Sequence, residues 1–151
     1  MKSKFLLALL AITLTGTAAA EVKPEDAIKF RQSGYNFMAW NMGRIKASLE
    51  GTYNKDEVIK AANAIQAVAG SGMGALYLPG TDKGKGWEET RVKPELFNNK
   101  EGVGKVAGVF VKEANEMAKV AATGDAAAAK EQFGKLGAAC KGCHEDFKIK
   151  K

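Results

Sequence analysis

Cys140-Lys141-Gly142-Cys143-His144 is the part of this 151-residue chain whose residue types and spacing can do chemistry. The run has the form C-x-x-C-H, and it holds both cysteines and the single histidine of the sequence. That spacing is the signature of covalent haem attachment. Each thiol can add across one porphyrin vinyl group to make a thioether, and the adjoining imidazole then lies against the ring face to supply an axial nitrogen to iron. A dithiol redox pair usually follows a strand in a βαβ pattern, whereas the surroundings here read as helical. Two cysteines and one histidine leave a structural zinc site one ligand short. A plain disulfide would leave His144 unexplained. The expected cofactor is one covalent haem c per chain, held by Cys140 and Cys143, with His144 as the axial iron ligand.

A haem buried between helices needs amphipathic segments to enclose it, and the chain has four. Pro24-Glu25-Asp26 opens the first, with proline tolerated in the first turn and carboxylates near the positive end of the helix dipole. Ile28, Arg31, Tyr35, Met38, Met42, Ile45 and Leu49 then recur at steps of three and four, which predicts a helix of about 24 residues ending near Gly51. Asn54 to Glu57 can cap a second helix, with Val58, Ala62, Ile65, Ala69, Gly72 and Leu76 on its stripe until Pro79-Gly80 stops it. The stretch from Pro79 to about Pro94 reads as a long loop. A third helix runs from about Asn99 to Ala122 with Val103, Val106, Phe110, Met117 and Val120 inside, and Gly124 closes it. Asp125 is a good N-cap for the fourth, whose stripe is Ala129, Phe133, Leu136, Cys140, Cys143 and Phe147. Both cysteines fall on the core-facing stripe, and His144, four residues after Cys140, projects to the same side. No segment shows sustained strand-type alternation. The expected fold is all-α, an antiparallel four-helix bundle with the haem between helices.

Residues 1–20 place Lys2 and Lys4 ahead of the apolar run Phe5 to Leu14 and end in Ala18-Ala19-Ala20. This is the pattern of a secretory signal cleaved after Ala20, and the run is too short for a stable transmembrane helix. Residues 21–151 would then form one exported domain without a membrane anchor. A bacterial periplasm suits the motif, because a free C-x-x-C outside the cytoplasm must be captured before it oxidises. Removing the two leader lysines lowers the net charge from +6 to +4, too weak a basic excess to argue for nucleic acid. Lys148, Lys150 and Lys151 form a terminal cluster that reads as a solvated tail.

The sixth coordination position decides what the iron does. Only seven residues follow His144, so a protein ligand there must come from upstream, and the first helix offers Tyr35, Met38 and Met42 on its core stripe. Each can equally be core packing. If Tyr35 covers the iron, a neutral phenol blocks a five-coordinate site without ligating it. If Met38 reaches the iron, the protein is a six-coordinate electron carrier.

A C-terminal C-x-x-C-H on the last of four helices, with Pro24-Glu25-Asp26 and Arg31-Gln32 on the first, resembles the cytochrome c prime family of high-spin class II c-type cytochromes. Pro79-Gly80-Thr81 and Pro94-Glu95-Leu96-Phe97 in the loop add to the likeness. The resemblance implies a five-coordinate iron and an antiparallel homodimer. It puts Tyr35 at the distal position, where low-spin relatives carry methionine, with Met38 one turn further on. It places Arg31 near a haem propionate with Gln32 beside it, and Lys148 on the proximal side, where relatives often have arginine. The implied function is binding of nitric oxide and carbon monoxide, usually taken as nitric oxide scavenging or transport, with a redox partner protein for the iron. Enzymatic turnover is not expected, because no distal histidine or general base is evident. Phe30, Phe37 and Trp40, off the core stripe, suit either a dimer interface or packing under the long loop. Gly70, Gly72 and Gly74 weaken the end of the second helix.

Overall fold

The structure, a computed structural model, describes residues 22–150. The expected leader and its cleavage after Ala20 lie outside the described residues. Helix α1 covers Pro24–Glu50, with Pro24 in the first turn and Glu25 and Asp26 at the positive end of the dipole. Helix α2 covers Lys55–Ala69, and the Asn54 side chain caps it by accepting from the Glu57 amide at 3.2 Å. A single turn, α3, spans Glu95–Asn98, followed by α4 over Lys100–Thr123 and α5 over Ala126–Phe147. Asn99 caps α4 through the Gly102 amide, and Asp125 caps α5 through the amides of Ala127 and Ala128. Between them Gly124 has φ 81°, the left-handed turn that ends a helix at glycine. The four long helices form the expected antiparallel bundle, and the described residues contain isolated β-bridges but no strand.

Two boundaries differ from the sequence reading. α2 stops at Ala69 instead of continuing to Leu76, because Gly70 ends it and Gly72 turns the chain with φ 82°. Gly72 and Leu76 therefore leave the α2 stripe, and Met73–Leu76 forms a separate 3₁₀ turn against α1. Gly34 of α1 makes room for that turn: a Cβ built there would lie 2.5 Å from Met73 Sδ. The second difference is α3, a helical turn at residues 95–98, between the expected loop and the expected third helix.

Burial is unequal along the bundle. Met38 and Ile45 of α1, Ala62 and Ile65 of α2, Met117 and Ala121 of α4 and Leu136 of α5 share one buried cluster. Towards the other end, Val103, Val106 and Phe110 of α4 and both cysteines of α5 are only half-buried. α1 packs along α2, α2 along α4 and α4 along α5, whereas α1 and α5 touch sparingly. The bundle is thus tightly filled on three seams and loose on the fourth, between the helix carrying Tyr35 and the helix carrying the cysteines.

Candidate haem site

Cys140, Cys143 and His144 occupy one turn of α5, where residues three and four apart share a face. Partial burial raises the pKa of both thiols; at Cys143 the neighbouring Asp146 adds to the rise and Lys148 opposes it. Both stay protonated at neutral pH, unlike the low-pKa thiolates of a redox dithiol. His144 is shifted the opposite way, by desolvation first and then by the charges of Lys148 and Arg91. Its imidazole is neutral at pH 7 and keeps a lone pair for a metal. Among the described residues no group of three or more His, Cys, Asp and Glu side chains could hold a bare metal ion.

Beside this turn, Arg91, Cys140, His144 and Lys148 line a cleft of about 590 Å³. Arg91 is brought there because its segment pairs with the chain end: Ile149 N donates to Arg91 O at 2.8 Å and Lys93 N to Phe147 O at 3.0 Å. The Lys93 ammonium donates to the carbonyls of Glu145 and Asp146, capping the negative end of α5.

Across the loose seam, α1 presents Tyr35. The residue is 39% exposed, and its hydroxyl lies 3.0 Å from that of Tyr77. Desolvation raises its phenol pKa, the Tyr77 hydrogen bond pulls it back, and the thiols of Cys143 and Cys140 add to the rise. Met38 lies elsewhere: it is 6% exposed and packed in the buried cluster.

Arg31 and Gln32 do something the sequence did not disclose. Arg31, 2% exposed, donates to Leu76 O at 3.3 Å, to Thr81 Oγ1 at 2.7 Å, to Thr90 Oγ1 at 2.8 Å and to Thr81 O. Gln32 accepts from Trp87 N at 2.8 Å and donates to Glu88 O at 2.9 Å. Together they pin the long loop onto α1, so closely that a Cβ at Gly86 would lie 2.7 Å from Lys29 N. Tyr77, Thr81, Thr90 and Arg91 were missed because loop residues carry no periodicity. The available signal was an arginine on an apolar stripe, which requires buried acceptors.

A family model described as Cytochrome C' matches residues 26–148. The chain belongs to the cytochrome c' family. It is 59% identical over 143 residues to cytochrome c' of Allochromatium vinosum, across 94% of this chain and 93% of that protein. A solved cytochrome c' reported for its unusual ligand-controlled dimer dissociation superposes with a TM-score of 0.84 at 60% identity, covering 87% of this chain and all of that one. A ferrous variant of cytochrome c prime from Alcaligenes xylosoxidans, with bound NO, matches with a TM-score of 0.76 at 27% identity over 87% of this chain and 99% of that one. Cytochromes c' bind haem c, and the residues of this chain fit it. Two neutral thiols, half-buried, and a neutral imidazole share one helical turn, although His144 is exposed beside Arg91 and Lys148 and does not turn to the core side with the cysteines as its spacing suggested. No described helix is long and apolar enough to cross a membrane.

Proposed function

We propose that this cytochrome c' is a periplasmic, high-spin haem protein whose five-coordinate iron binds nitric oxide and carbon monoxide, serving nitric oxide scavenging or transport rather than turnover. Cys140 and Cys143 carry the thioethers and His144 is the axial ligand. The haem, when bound, supplies a redox-active iron with one open position, and a redox partner protein sets its oxidation state. Tyr35 stands across the distal face. Arg31, its terminal N–H donors held by the loop, gives a propionate its positive charge, with Gln32 beside it and Lys148 on the proximal side.

The observation that carries this reading is the separation of Tyr35 from Met38. Tyr35 is exposed and bonded to the Tyr77 hydroxyl, while Met38 is sealed among core side chains and would have to leave them to act as a sixth ligand in an electron carrier. With His144 the sole histidine, no imidazole remains to donate a hydrogen bond to bound dioxygen. The NO complex of the Alcaligenes xylosoxidans relative supports the ligand class.

A homodimer suits the outer face of α1, where Phe30, Phe37 and Trp40 are 56%, 47% and 57% exposed. Titrating the purified ferrous protein with NO and with CO, while following absorbance and sedimentation, tests both points. The account expects both gases to change the haem spectrum, and the gas-free protein to sediment as a dimer. A ferrous protein inert to both gases would contradict it.

A further inference from the structure

Tyr77 is built into a rigid corner. It ends the 3₁₀ turn that follows Gly72, and its half-buried ring stacks 4.9 Å beneath the Arg31 guanidinium and meets the edge of Phe97 at 6.5 Å. Arg31 is in turn fixed by four hydrogen bonds to residues 76, 81 and 90. Tyr35 is held far less. It sits 39% exposed on the loose α1–α5 seam, and among the described residues its side-chain hydrogen bond is the one to Tyr77, at 3.0 Å. A ring held on several sides thus holds an exposed one by a single hydroxyl pair.

We propose that Tyr77 is a positioning residue that latches Tyr35 across the distal side of the haem, so that breaking the Tyr35–Tyr77 hydroxyl pair admits a gas to the iron. The inference rests on the five-coordinate, gas-binding reading above. Burial raises the pKa of both phenols, which keeps the pair neutral and the bond intact at physiological pH. A latch acts on the closed state alone. Removing it raises the fraction of protein with an open gate and lowers the apparent dissociation constant in proportion, while gas leaves from the open, ligand-bound state at an unchanged rate.

The test is CO binding to the ferrous holoprotein, comparing wild type with Tyr77→Phe, Tyr35→Phe and the double variant. Phenylalanine keeps either ring and deletes one hydroxyl, so each single variant breaks the same bond from one side. A neutral hydrogen bond of ordinary net strength corresponds to roughly a two- to tenfold rise in association rate. The latch requires that rise in both single variants, an unchanged dissociation rate, and no further gain in the double variant. Association at the wild-type rate in Tyr77→Phe, or single effects that multiply in the double variant, would overturn the latch alone. A wild-type ferrous protein that takes up no CO would overturn the gas-binding reading, and the latch with it.

Discussion

Tyr35 and Met38 stand three residues apart on α1 and meet opposite environments. Periodicity put both on one stripe, because residues three apart on a helix share a face. What separates them is tertiary. Met38 belongs to a buried cluster shared with residues of α2, α4 and α5, whereas Tyr35 is exposed and bonded to the hydroxyl of Tyr77. The haem motif was legible because its chemistry is local in sequence. Tyr35 was named as well, but its partner Tyr77 was not, since it comes from a turn 42 residues later. If Met38 only packs, Met38→Leu is a near volume-conserving change, costing less than about 1.5 kcal/mol in denaturant unfolding. The absorption spectrum of that variant should be unchanged, and a loss of low-spin character would show that Met38 ligates iron.

At the scale of elements, the caps read at Asn54 and Asp125 proved accurate, because both side chains satisfy amides two to three positions away. The end of α2 was less legible. Its apolar spacing continues through Gly72 and Leu76, and only the positive φ at Gly72 reveals that the chain has already turned. The loop beyond it is ordered by side chains of α1, an arrangement no local pattern announces. Gly72→Ala isolates the backbone contribution, since a Cβ there meets nothing within 4 Å. The left-handed conformation alone should lower unfolding free energy by about 1–2 kcal/mol, read from the denaturant midpoint. Gly74, equally open but without a positive φ, should accept alanine with no such loss. Equal effects at the two positions would contradict the assigned turn.

For the whole molecule, four amphipathic stripes were enough to indicate an antiparallel bundle, but not which of its seams is loose. That asymmetry emerges only once α2, α4 and the far half of α5 have packed to exclusion of water and left α1 and α5 apart beside the cysteine turn. A bundle built this way has a filled core on three seams and a sparsely packed fourth, with exposed aromatic side chains on the outer face of α1. Whether the iron in that seam has one protein ligand or two separates a gas binder from an electron carrier. Resonance Raman and absorption spectra of the resting ferrous holoprotein, before any gas is added, count those ligands directly. The account predicts a high-spin, five-coordinate iron with His144 as its one protein ligand; a low-spin, six-coordinate spectrum would contradict it.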